Sequence, residues 1–204
     1  MKWASAIAAV SVLFISSTPV YAEDLRVCVI SSVEGNVSYL RRDGRAQSIT
    51  PSMRIEHSDR IVTGKKTRVH LTCDDDATVT IGAETDIDLG DLLGPKENQG
   101  YAARLFEGIA GFILPSSNGE RFEVRTPNAV ASVRSTAWTV DVAGDKTSVF
   151  VRDGLVAVVA QDAGGELGPG NGIDITSGGG PAPVKTWGAK RVVAMNARLG
   201  FDWE

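Results

Sequence analysis

Residues that carry chemistry are scarce in this sequence. Its 204 residues include two histidines, His57 and His70, both before the midpoint. There is no G-x-S-x-G and no H-E-x-x-H. The one glycine-rich loop of note, Gly168-Pro169-Gly170-Asn171-Gly172, lacks the Lys and Ser/Thr that would hold phosphate and Mg²⁺. A general base needs an oriented neighbour, and nothing in the sequence singles one out. His70 alternates with Val69 and Leu71, which places it on the solvent side of a strand. These absences predict a non-catalytic protein without a cofactor.

Basic clusters and long apolar runs are missing too. The chain holds 21 Lys and Arg against 25 Asp and Glu, a net charge of -4. An acidic chain of this kind is a poor match for nucleic acid or an anionic membrane surface. No run beyond the N-terminus approaches the 18 or so apolar residues of a membrane span. The N-terminus itself reads as a cleaved targeting segment over residues 1–22. Lys2 supplies the positive start, Ala4 to Ile15 the apolar stretch, and Val20-Tyr21-Ala22 the small-x-small cleavage site. Removing it takes away only Lys2 among the charges and leaves a chain expected to be periplasmic or secreted, with no membrane span.

Aromatic residues make up only 6% of the chain, while glycine reaches 22 residues among many Val, Ile and Thr. That balance predicts β-structure with frequent turns. Short strand-like runs cover Val27–Ile30, Val33–Leu40, Ile49–Ile55, Arg60–Thr63, Thr67–Cys73, Thr78–Ile81 and Thr85–Leu89. Three segments share an acid-Gly pair that leads into a strand: Glu34-Gly35, Glu107-Gly108 and Asp153-Gly154. Their uneven spacing excludes a fixed-period array and suggests a recurring glycine corner in stacked coils or a rolled sheet. The last of them predicts a hairpin within Thr147–Ala160. Asp91 to Arg104 reads as a polar loop. Ala163–Gly172 and Ser177–Pro183 read as irregular, with a short strand at Ile173–Thr176 between them. Thr186 is placed to cap a helix reaching Leu199, with Val192, Met195 and Leu199 on one face and Gly200 beyond it.

The expected fold is therefore all-β, a rolled or solenoid-like stack of short strands with a short C-terminal helix; a two-sheet β-sandwich is the alternative. The expected division is a β domain over residues 23–177, then a Gly/Pro-rich linker and helix over 178–204. Cys28 and Cys73 are the two cysteines, and an even count in an exported chain predicts a disulfide between them.

Two groups of residues are candidates for binding. On a strand, Glu84, Asp86 and Asp88 share one face, and with Asp91 and Asp74-Asp75-Asp76 nearby they could offer oxygens to Ca²⁺. A solvent-facing acidic stripe has the same pattern, and the favoured reading assigns no metal. Trp138, Trp187 and Trp203 could line a ligand groove, although large aromatics more often fill a core or anchor a terminal helix.

The chain is organised around Phe122–Val142. Pro127 fixes its own φ and gives no donor, so it belongs at a strand end. Small residues follow, and Arg134 stands among them; a desolvated guanidinium there requires a partner from an adjacent strand. Arg125-Thr126-Pro127, then Ala129-Val130-Ala131-Ser132-Val133-Arg134-Ser135-Thr136-Ala137-Trp138-Thr139-Val140, resembles the FecR-like signature T-P-x-A-x-x-x-V-R-G-T-x-F-x-V. Ser135 replaces its glycine, which implies either that positive φ is not needed there or that Ser135 is strained. Ser58-Asp59-Arg60-Ile61-Val62-Thr63-Gly64 is similar to the family's G-D-x-I-x-T-G. In Cys73–Gly82, Asp76 stands for a glycine and tolerates the left-handed region. The resemblance runs from about Val33 to the C-terminus.

The best-known FecR-like proteins are envelope signal transducers, whose periplasmic domain receives a signal from an outer-membrane receptor and is tethered to a cytoplasmic segment that controls a sigma factor. Here the domain is expected to follow the cleavable segment directly, so the sigma-regulating role is not carried over. The resemblance implies an exported sensing or protein-interaction module that engages an envelope or outer-membrane protein. A periplasmic protein that binds a small ligand or divalent cation is the alternative.

Overall fold

The computed structural model describes residues 27–40, 44–55, 60–74, 76–90, 100–115, 121–161 and 163–200. The targeting segment, His57, Trp203 and residues 91–99 of the expected loop lie outside the described residues. Strands come in the order β1 (Cys28–Glu34), β2 (Val37–Leu40), β3 (Ala46–Ser48), β4 (Arg54–Ile55), β5 (Arg60–Thr63), β6 (Arg68–Cys73), β7 (Thr78–Ile81) and β8 (Asp86–Asp88). They continue with β9 (Gly100–Leu114), β10 (Arg121–Arg125), β11 (Val130–Ala143), β12 (Lys146–Ala160), β13 (Ala163–Leu167), β14 (Asn171–Thr176), β15 (Gly180–Pro181) and β16 (Lys185–Thr186). One helix, α1 (Ala189–Leu199), ends the described chain. All the strands belong to one mixed sheet, in which β9 and β10 form the parallel pair.

Three long strands explain how one sheet encloses a core. The first part of β9 pairs with β8 and β10, while its second part pairs with β7 and β11. Likewise β12 pairs with β14 through Lys146–Phe150 and with β13 through Val156–Ala160. The β11–β12 ladder shifts register between Val133 and Thr136, at the same level. The sheet therefore doubles over, giving a layer with β1, β4, β6, β7 and β14 and a second, open layer with β2, β3, β5, β8, β10 and β13. This is the all-β rolled architecture the composition implied, a single sheet in place of the two-sheet alternative.

The acid-Gly segments form the corners. Gly35, Gly108 and Gly154 have φ of 73°, 87° and 83°, the left-handed region that glycine enters without a steric penalty. Beside each stands a buried threonine whose hydroxyl donates to the carbonyl of the next residue: Thr67 to Asn36 at 3.4 Å, Thr85 to Ile109 at 3.2 Å, Thr136 to Leu155 at 3.1 Å. A β carbon on Gly154 would lie 2.4 Å from the Ser135 carbonyl oxygen. Asp153-Gly154 is thus a bend within β12 and not the expected hairpin turn, which lies at Gly144-Asp145 between β11 and β12. Ser135 itself keeps a negative φ, whereas Asp76 adopts 61° as its αL tolerance allows.

Inward positions alternate along every long strand. Trp138, fully buried, sits between Phe112 and Phe122 at ring-centre distances of 5.3 and 6.3 Å. Cys28 and Cys73 stand directly opposite on β1 and β6 and form the expected disulfide, with Cα atoms 3.9 Å apart. Outside the core, Met195 and Leu199 of α1 pack on Ile109 and Phe150, and Gly200 ends the helix at φ 79° with its N–H on Asn196.

Three local expectations are corrected. Ala163–Leu167 is a strand, because Gly164 lets β12 approach so closely that a β carbon would lie 2.1 Å from the Val158 carbonyl oxygen. Residues 100–104 of the expected loop belong to β9, held by parallel pairing to β10. The helix starts two residues late: Thr186 pairs with Asn171 on β14 and donates to its side chain, so Gly188 occupies the N-cap without a side-chain cap.

Candidate functional site

The signature stretch divides between framework and surface. Val133 and Thr136 are 3% exposed, one in the core and the other at the Gly154 corner. The Thr126 hydroxyl donates to the Ala129 carbonyl at 3.0 Å and accepts from the Ala129 N–H, closing the turn in which exposed Pro127 separates β10 from β11. Asn128 ties that turn to the next one, donating to the Asp145 carbonyl at 2.7 Å and accepting from Thr147.

Arg134 is not desolvated. It sits at an outward position of β11 in the open layer, is exposed, and forms no hydrogen bond or ion pair among the described residues. Its apolar sequence neighbours Val133 and Ala131 point the other way, into the core, as strand alternation requires. Along β10, Glu123 bridges Arg121 and Arg125 at 3.2 Å each, and Arg121 also donates to Ser132 at 3.1 Å. Arg121, Arg134, Leu155, Ala157 and Glu166 line a groove of about 510 Å³ on this face. Leu155 and Val159 on β12 are each 56% exposed although β12 is an interior strand. An apolar row rimmed by charges on a sheet face is characteristic of a docking surface.

The acidic stripe is not brought together as a metal cage. Asp86 is held by a two-pronged contact from Arg60, whose guanidinium also lies 4.8 Å over the Phe106 ring. The Asp86 hydrogen bond outweighs partial burial and raises the Arg60 pKa. Asp88 accepts from the Gly90 N–H at 2.7 Å, and Glu84 stands in a turn at φ 53°. Among the described residues no group of three or more His, Cys, Asp or Glu side chains is placed to hold a metal ion. His70 lies on the outward face of β6, as alternation with Val69 and Leu71 requires, and is half-buried there; its Nδ1 lies 2.9 Å from the Thr80 hydroxyl, and burial lowers its pKa.

The two described tryptophans serve packing. Trp138 is core, while Trp187 stacks on Phe150 at 5.1 Å and carries the Arg191 guanidinium 3.4 Å above its ring. Arg191 in turn makes a bidentate pair with Asp174, which also accepts from Ser148 at 2.7 Å. Burial acts to raise the Asp174 pKa, but the hydrogen bonds from Arg191 and Ser148, the Arg191 charge and Lys146 hold it at about 2. Sequence reading missed this clamp. Its one signal was the alternation Ile173-Asp174-Ile175, which turns Asp174 to the outer face where α1 lies.

Similarity to known proteins falls on the same framework. The FecR protein family matches residues 59–157, a span that contains the signature stretch and two of the three threonine–glycine corners. No curated protein matches the sequence. Two crystal structures of a proposed anti-sigma factor from Parabacteroides distasonis ATCC 8503 share the fold, with TM-scores of 0.58 and 0.56 at 23% and 24% identity. The similarity covers 66% of this chain and 62% and 63% of those chains, less than two thirds of their length.

Proposed function

Because residues 59–157 form a FecR domain, we propose that this protein is an exported, non-catalytic sensing module that docks a protein partner of the cell envelope on the open face around Arg134. The observation that carries this reading is the contrast between the two outer faces. One is covered by α1 and sealed by the Arg191–Asp174 pair. The other leaves an unpaired arginine beside an exposed apolar row, at the surface part of the family signature. Export is supported by the Lys2, Ala4–Ile15 and Val20-Tyr21-Ala22 pattern, and the disulfide fits an oxidising compartment. Among the described residues no helix is long and apolar enough to cross a membrane.

A photo-crosslinking residue at position 155 tests the reading, with position 193 on α1 as control, since Val193 is also highly exposed. Adducts with an envelope protein are expected from 155 and not from 193. Equal yields at both positions, or none at 155, would remove the open face as the docking surface.

A further inference from the structure

Two opposite charges flank the apolar row on the open face, and neither has a partner among the described residues. Arg134 stands on β11, one strand to one side of β12, where Val133 pairs with Val156. Glu166 stands on β13, one strand to the other side, paired with Ala157. Both line the same groove, and neither forms a hydrogen bond or ion pair among the described residues. With neighbouring strands ~4.8 Å apart, β12 holds their backbones roughly 10 Å from each other. The row between them, Leu155, Ala157 and Val159, is exposed along its length.

A ligand of one charge sign fits this arrangement badly, because it would meet either Arg134 or Glu166 as a like charge. A surface that carries plus, apolar and minus in lateral order is complementary to itself. We propose that the occupant of the open face is a second copy of this chain, in a face-to-face dimer whose two-fold axis runs along β12. Such an axis exchanges left and right while leaving height along the strand unchanged. Arg134 of each copy then comes over Glu166 of the other, two residues away along the strand and within reach of both long side chains. Leu155, Ala157 and Val159 meet their own counterparts at the centre. This is the isologous geometry of cyclic dimers, in which each contact occurs twice. An apolar centre with charges at its rim matches the anatomy of specific interfaces. The inference rests on the open face being a docking surface and names what covers it.

Sedimentation velocity on the purified chain, across a concentration series, tests the proposal. A reversible monomer–dimer equilibrium is expected. Arg134→Glu and Glu166→Arg should each raise the dimer dissociation constant by at least roughly tenfold, since each sets like charges opposite one another. The double variant R134E/E166R should recover the dimer, because the swapped charges are again complementary. Circular dichroism should be unchanged in all three, as both positions are exposed. A wild-type chain that stays monomeric throughout, or a double variant as weak as the single ones, overturns the proposal. Hetero-adducts from position 155 in a chain that sediments only as monomer would overturn the dimer and leave the docking reading standing.

Discussion

The Thr136 hydroxyl donates to the Leu155 carbonyl at 3.1 Å, directly beside Gly154. That bond joins the point where β11 slips register to the point where β12 bends, so it holds together the corner at which the sheet doubles over. The same pairing of a buried threonine with a left-handed glycine recurs at Thr85–Gly108 and Thr67–Gly35. The rolled fold is thus built from one local device used three times.

Gly154→Ala is expected to be severely destabilising. An alanine at φ 83° costs about 1–2 kcal/mol in backbone strain alone, and its β carbon would lie 2.4 Å from the Ser135 carbonyl oxygen. Gly144→Ala is the control, because its φ is 58° but nothing lies within 4 Å. Denaturant melts should show Gly144→Ala paying only the strain and Gly154→Ala losing substantially more. Equal losses would mean that close approach at the corner contributes nothing.

Reduction of Cys28–Cys73 is expected to cost roughly 4 kcal/mol, the chain-entropy figure for a loop of this length; the two residues are 45 apart in sequence. The check is a pair of denaturant melts with and without reductant, read against a Cys28→Ala/Cys73→Ala variant that should match the reduced protein.

What could be read from the sequence followed from period and from glycine. Alternation located most strands, and the acid-Gly pairs marked the corners. Asp153-Gly154 misled only because a left-handed glycine serves a bend within a strand as well as a hairpin turn; which of the two depends on partners distant in sequence. Gly164 failed for a similar reason, since its value lies in letting β12 come close, and composition cannot show that. Arg134 was misplaced because small neighbours in sequence do not mean small neighbours in space: in a strand, adjacent residues face opposite ways. Nothing in the apolar run Leu155–Ala160 marks which of its faces stays open, and the structure leaves Leu155 and Val159 exposed.

Arg134→Ala should leave stability within about 0.5 kcal/mol of the parent, as expected for an exposed residue without a partner. It should also weaken whatever docks on the open face. The measurement is a thermal melt alongside crosslinking from position 155. A large drop in melting temperature would place Arg134 in the framework after all.

Acid should loosen the C-terminal helix through Asp174. Its pKa is held at about 2 in the folded protein, below the ordinary aspartate value of 3.8. A depressed carboxylate contributes stability above its unfolded pKa and loses it as the pH falls towards the folded one. The window therefore runs from about pH 4 down to about pH 2. At roughly 1.4 kcal/mol per pKa unit the contribution is up to about 2 kcal/mol, and solvent screening reduces it, since the Asp174 side chain is 28% exposed. The consequence is local, because Asp174 grips Arg191, which lies on Trp187, which stacks on Phe150. Urea melts at pH values across the window should show the parent losing stability that Asp174→Asn never had, while the variant is weaker than the parent at neutral pH. If parent and variant fall in parallel from pH 4 to pH 2, the Asp174–Arg191 pair does not hold the helix on the sheet.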